Sequence, residues 1–198
     1  MSDAYCSENY ALLNTPIETD RHVRRVVRHL APAAADRILE IGCGRGFLTR
    51  RIQQLSPLTQ GVDVNPQAIR HAVAPNLRAM DMVALAFDDA SFDKAYSFHA
   101  IEHVADVAAA LGEMARVLRP GGRLLLVYPA EPVRGLFAVG AALALFGNPL
   151  RARELHLHKL TPRRLQRTVA ARGLPLTHVV SELQILLTPQ FVTLFAKH

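Results

Sequence analysis

Arg37-Ile-Leu-Glu-Ile-Gly-Cys-Gly-Arg-Gly-Phe-Leu-Thr-Arg50 is the stretch from which the rest of the chain can be read. Ile38, Leu39 and Ile41 form a short apolar run, the pattern of a strand buried on both faces of a parallel sheet. The run stops at Gly42. Glycines at 42, 44 and 46 let the backbone turn sharply and come close to a ligand. Phe47, Leu48 and Ile52 then restart at helical spacing. Strand, glycine turn and helix in this order open a nucleotide-binding βαβ unit.

Smaller features select the nucleotide. A dinucleotide fingerprint reads G-x-G-x-x-G, with a pyrophosphate at the helix N-terminus. Here the spacing is G-x-G-x-G, and Glu40 stands two residues before the first glycine. A carboxylate there repels a pyrophosphate and suits a ligand carrying positive charge. Downstream, Gly61-Val-Asp-Val64 reads as the end of a second strand closing on Asp63. An acid in that place accepts both ribose hydroxyls. The pattern calls for a nucleoside with free ribose hydroxyls, no phosphates and a cationic amino-acid tail, which describes S-adenosylmethionine.

The segments 38–46, 61–66, 81–93 and 119–128 together resemble a class I S-adenosylmethionine-dependent methyltransferase. The resemblance is to the small-molecule type that includes the ubiquinone/menaquinone methyltransferases. With the connecting helices it covers residues 36–128. It implies an α/β fold, Rossmann-like, with a mostly parallel seven-stranded sheet, helices on both faces and an antiparallel last strand. It also assigns the cofactor contacts. Gly42, Cys43, Gly44 and Gly46 form the turn, Glu40 organises the methionine end, and Asp63 with Val64 takes the ribose. Asp81 and Met82 take the adenine, and His99 closes the wall. At residues 85–92 the chain departs from the family's "LPF…SFD" segment, with Ala86 where proline is usual.

Composition agrees. Half of the 198 residues are apolar and only 20% are charged, which suits a full core and argues against disorder. Cys6 and Cys43 are expected as reduced thiols, because a disulfide would tie up the glycine turn. The N-terminus is acidic and polar, without a signal-peptide core, so a cytoplasmic protein is expected. The net charge of +6 is uneven. Residues 151–198 hold eight of the 23 Lys/Arg and two of the 17 Asp/Glu, leaving fifteen of each in 1–150. A basic tail is one mark of nucleic-acid binding. With no Trp, and only Phe191 and Phe195 as tail aromatics, the sequence argues against that partner.

The chain divides, on this reading, into one methyltransferase domain over 1–198. Residues 1–35 are N-terminal cap helices, 36–128 the cofactor core, 129–160 an apolar substrate-side insertion, and 161–198 a final helix and strand pair. Thr15-Pro-Ile-Glu18 reads as a capping box opening a helix that buries Val23, Val26, Val27 and Leu30, with Arg21, Arg24, Arg25 and Arg28 around the other face. Asn65-Pro66 and Thr161-Pro162 each start a helix as N-cap and first residue. Strands are expected over 59–63, 76–79, 93–98 and 123–128. A helix runs from Val107 to Leu118, stopped by Pro120-Gly121-Gly122, and a closing antiparallel pair spans 176–187 and 191–196.

Acceptor chemistry is less defined. His99 and His103 stand at the carboxyl edge of the sheet, where a general base could reach a substrate. Displacement at a sulfonium needs mainly alignment, because the leaving group is neutral. Both histidines are therefore candidates for catalysis, with wall contact the simpler role. Tyr10, His103, His156 and His158 are the substrate-side candidates. His156 and His158 are spaced for one face of a strand with no third ligand close in sequence, so no metal is expected. Residues 135–147 carry no charge over thirteen positions. A helix of that length spans ~20 Å, too short for a bilayer. It should be a buried insertion helix, a lid over an apolar pocket, or a peripheral membrane contact flanked by Arg134, Arg151 and Arg153.

The function expected is methyl transfer by in-line displacement to a small, lipophilic acceptor. The rivals are a nicotinamide-dependent oxidoreductase and a non-catalytic partner subunit of the same fold. The oligomeric state has no signature in the sequence.

Overall fold

The computed structural model describes residues 6–13, 19–185 and 188–198. The expected capping box at 15–18 lies outside the described residues. Seven strands form one sheet: β1 (Ile38–Ile41), β2 (Gln60–Asp63), β3 (Leu77–Ala79), β4 (Phe92–Phe98), β5 (Leu118–Pro129), β6 (Leu176–Gln184) and β7 (Gln190–Lys197). Their order is β3-β2-β1-β4-β5-β7-β6. The first five are parallel, while β7 runs antiparallel to both β5 and β6. The fold that the family resemblance implies is the one observed.

Alternation along the strands splits the core between two faces. Leu39, Ile41, Leu124 and Leu126 pack on one side with Leu111 and Met114 of α5 (Val107–Val117) and Leu165 and Val169 of α8 (Pro162–Ala171). Ile38, Tyr96, Leu125 and Val127 pack on the other with Val26 and Leu30 of α2 (Thr19–Leu30) and Leu48 and Ile52 of α3 (Phe47–Gln53). The caps behave as read. Asn65 Oδ1 accepts from Gln67 and Ala68 N at the start of α4 (Pro66–Arg70), and Thr161 Oγ1 accepts from Arg164 N.

Several details differ from expectation. In α2, Val27 is 44% exposed while Arg25 is only 4% exposed. The buried face is rotated toward Arg25 and His29, and Arg25 can be inside because it has partners there. Arg25 donates to Gln184 Oε1 (2.8 Å) and Gln190 Oε1 (2.7 Å) on the last two strands. The fifth strand starts at Leu118, which pairs with Phe92; the register then shifts, and pairing resumes from Lys94 with Arg123. The Pro-Gly-Gly segment ends α5 but is carried as an irregularity within a strand.

The apolar run 135–147 becomes a 3-10 turn (Leu136–Ala138) and α6 (Val139–Phe146). It is not fully buried. Ala138 and Ala142 pack with Ala152 and Leu155, whereas Leu136, Val139 and Leu143 are exposed. His156 follows the short α7 (Ala152–Leu155) instead of standing in a strand. Its N–H closes that helical turn on Ala152 O, so His156 is buried while His158 turns outward to Ala105 O and Arg164. The two histidines do not share a face.

Candidate active site

The glycine turn is tied to the sheet by its own backbone. Gly42 and Cys43 N both donate to Val62 O, at 2.8 and 3.0 Å. Gly42, Gly44 and Gly46 have φ of 79°, 53° and 83°, a region side chains rarely adopt. A Cβ at Gly42 would press into the Cβ of Ala100. Asp63 braces the same turn, accepting from Gly44 N (2.7 Å) and Asn65 N (2.8 Å). Asn65 Nδ2 in turn donates to Ser7 O, which ties in the stretch leading to α1 (Glu8–Leu13).

Glu40 points to the face opposite its neighbours Leu39 and Ile41. It is buried and accepts from Thr49 Oγ1 and, at 3.1 Å, from Tyr96 Oη. Burial pushes its carboxyl up to about 8, with Asp63 adding to the effect and the two hydroxyls opposing it. Burial likewise raises Asp63, against the pull of the two amides it accepts from. The Cys43 thiol is raised by burial and then by Glu40 and Asp63, so it remains a thiol. Both cysteines are free.

These groups line a cavity of about 470 Å³ outside the carboxyl ends of β1, β2 and β4. That is where open α/β sheets bind ligands, because the strand order reverses there. Of the expected cofactor contacts, Glu40, Gly42, Cys43 and Gly44 line it from the first turn, Asp63 and Val64 from the second, and Met82 and His99 from the next two. Gly46 and Asp81 do not. Gly46 is the left-handed residue that starts α3 and shapes the turn from behind, and Asp81 Oδ1 accepts from Val83 N. Met80 lines the cavity beside Met82, although nothing in the sequence separates its side from that of Asp81.

His22 and Phe98 were also not anticipated. His22 lies over Phe98, with ring centroids 4.5 Å apart, and near His99. Burial, with His99 and the nearby Arg25 and Arg21, drives the His22 imidazole down to about 3, so it is neutral. The mixed polar face of α2 was the available signal. His99 itself has φ 50°, a strained conformation for a non-glycine residue, and its N–H donates to Val127 O.

A second cavity, of about 310 Å³, adjoins the first, and Tyr10, His99, His103 and Ala141 line both. Phe137, Ala138, Leu155 and Pro189 supply apolar wall, while Glu102 and His156 supply polar groups. Among the substrate-side candidates, Tyr10, His103 and His156 therefore meet, and His158 stands apart. Burial lowers the His103 imidazole against the pull of Glu102, leaving it neutral at pH 7. Burial raises the Tyr10 phenol, so it stays protonated.

The cavity fits a ligand with hydroxyls and a positive charge at one end and a flat apolar part at the other. Acidic side chains are Glu40 and Asp63, and Met80, Met82 and Val64 give the apolar surface. This is the cofactor half of a class I methyltransferase fold. Residues 39–126 match the family described as "Methyltransferase domain". The O-methyltransferase cnsE of Penicillium expansum is 35% identical over 54% of this chain and 43% of its own length. A ubiquinone biosynthesis O-methyltransferase of Rhizobium etli is 33% identical over 74% of this chain and 62% of its own. The matched part thus spans about half the length of these relatives. In fold, the chain is similar to the Streptomyces coelicolor geranyl diphosphate C-methyltransferase, solved with S-adenosyl-L-homocysteine (TM-score 0.67, 16% identity, 90% of this chain and 77% of that one).

Residues 39–126 belong to the class I S-adenosylmethionine-dependent methyltransferases, a family whose cofactor is S-adenosylmethionine. Neither the oxidoreductase nor the non-catalytic rival finds support in these relatives. Among the described residues no helix is long and apolar enough to cross a membrane.

Proposed function

We propose that the protein transfers the methyl group of S-adenosylmethionine to a small lipophilic acceptor, as one methyltransferase domain over 1–198. The observation that carries this reading is the pair of adjoining cavities. One is acidic and glycine-lined; the other is walled by Phe137, Ala138 and Leu155 from the 131–160 region. When bound, S-adenosylmethionine supplies an electrophilic methyl on a sulfonium. Glu40 faces the cationic end, Asp63 has acceptor capacity left beyond its two amides for ribose hydroxyls, and Met80 with Met82 packs the adenine. Asp81 supports this wall through the turn it braces.

His99, Tyr10 and His103 stand where both cavities meet. They orient the acceptor and exclude water, which is most of what displacement from a neutral leaving group requires. The acceptor atom loses its proton to His99 or to solvent as its bond to the methyl carbon forms and the carbon–sulfur bond breaks.

The exposed Leu136, Val139, Leu143 and Leu150, the last 87% exposed, support a peripheral contact with a membrane or an amphiphile. Arg134 and Arg153 flank them; Arg151 is held by Glu154 (2.7 Å) and lies over Phe146. The test is turnover of paired acceptors differing only in tail length, with sedimentation on anionic vesicles. Longer tails should be methylated faster and the protein should pellet with vesicles. Equal turnover together with no pelleting would overturn the lipophilic reading.

A further inference from the structure

Glu102, His103 and His156 come together although 53 residues separate the last two. One ligand atom from each lies within 4.8 Å of the others, and all three residues are buried. Glu102 is 1% exposed, and among the described residues neither of its carboxylate oxygens has a hydrogen-bond partner. His103 Nε2 is 3.9 Å and His99 Nδ1 3.7 Å from Glu102 Oε1, too far for hydrogen bonds. A buried carboxylate without such partners is costly unless something positive joins it.

The two imidazoles are held in the tautomer that a metal needs. His103 Nδ1 lies 2.9 Å from Leu155 O, a carbonyl that only accepts, so the proton is on Nδ1 and Nε2 keeps its lone pair. His156 Nδ1 lies 2.8 Å from Glu131 Oε1, which fixes the same tautomer. Glu131 is itself anchored, accepting from Gly135 N and Phe137 N. A carboxylate behind a histidine, orienting it from the second shell, is the usual support of a bound metal.

We infer that Glu102, His103 and His156 form a binding site for one divalent transition-metal ion at the wall of the second cavity. Two imidazole nitrogens and one carboxylate suit Zn²⁺, Fe²⁺ or Co²⁺ over Mg²⁺ and Ca²⁺, which prefer oxygen ligands. Three protein ligands leave further positions open toward the cavity that Glu102, His103 and His156 all line. The inference rests on these side chains and not on which acceptor is methylated.

The experiment uses the full chain, stripped with chelator and dialysed. Titration with ZnSO₄, followed by calorimetry, should show one equivalent bound, and MgCl₂ at the same concentrations should show none. CoCl₂ should give visible d–d bands that ZnSO₄ abolishes, a readout that needs no variant. His156→Asn and His103→Gln should each remove the one-equivalent isotherm. Glu131→Gln should weaken it roughly 10–100-fold, the usual effect of losing a group behind a ligand. His198→Asn, at the exposed C-terminus, should leave it unchanged, and thermal melts establish that each variant is folded. No stoichiometric Zn²⁺ and no Co²⁺ bands in the unmutated chain would overturn the site. So would binding that persists unchanged in both histidine variants, or Mg²⁺ binding as well as Zn²⁺.

Discussion

Between Ile38 and Gly46 the chain is held by its backbone, whereas between Glu131 and His156 it is held by a few buried side chains. In the first region amides close on Val62 O and on Asp63, three glycines take left-handed angles, and Ile38, Leu39 and Ile41 fill the core while Glu40 lines the cavity. In the second, one carboxylate, Glu131, holds Gly135, Phe137 and His156, and α6 packs through the small residues Ala138 and Ala142. Val139 and Leu143 of that helix face outward, while Leu145 and Phe146 are partly buried against the small residues. Backbone geometry leaves little freedom to change, so the cofactor half is recognisable from sequence. Side-chain packing around small residues depends on distant contacts, so the second region carries no comparable signature in the sequence.

The contrast can be broken at its strongest point first. Gly42→Val should abolish cofactor binding and destabilise the fold by about 2–6 kcal/mol, combining backbone strain with overpacking against Ala100. Urea denaturation and calorimetry with S-adenosylmethionine read both effects; a stable variant that still binds would refute the account of the turn. Asp63→Ala should weaken cofactor binding by about 1.5–3 kcal/mol, the loss expected for hydrogen bonds to a charged group. Because Asp63 also holds Gly44 and Asn65 N, the variant should lose some stability too. Unchanged affinity in the folded variant would remove Asp63 from the site.

Glu40 sharpens the comparison through pH. Its folded value of about 8 lies above the ordinary 4.5, so between those pH values the folded chain holds a proton that the unfolded chain has released. Stability conferred by protonated Glu40 is therefore lost as pH rises through this window. Glu40→Gln should flatten that part of the stability–pH curve. A cationic ligand favours the ionised carboxylate, so cofactor binding at pH 7 should release a proton. Calorimetry in buffers of different ionisation enthalpy measures the release, and Glu40→Gln should cancel it.

The smallest effect belongs to the second region. Leu143→Glu removes an exposed apolar side chain and should change stability by less than about 0.5 kcal/mol. It should nevertheless reduce vesicle sedimentation and slow turnover of long-tailed acceptors. A marked drop in thermal stability would show that α6 contributes core after all.

Much of the site was legible because it is local. A glycine turn, an acid at a strand end and an Asn-Pro helix start each report on a few neighbouring residues. Met80 was missed because only the packing of the loop brings both neighbours of Asp81 to the cavity while Asp81 itself turns away. The rotated face of α2 was missed because arginine on a helix ordinarily marks the solvent side, and the partners Gln184 and Gln190 lie in strands far along the chain.

By itself, then, the sequence determined the parallel sheet, the cofactor turn and the helix caps, since these follow from backbone angles and short-range periodicity. Tertiary structure alone decided that His156 turns inward while His158 turns out, that Glu102 and His103 meet His156, and that α6 buries Ala142 while Leu143 is exposed. The inward turn of His156 and the meeting of Glu102, His103 and His156 depend on which distant elements the compact chain brings together, and spacing along the sequence carries no record of that.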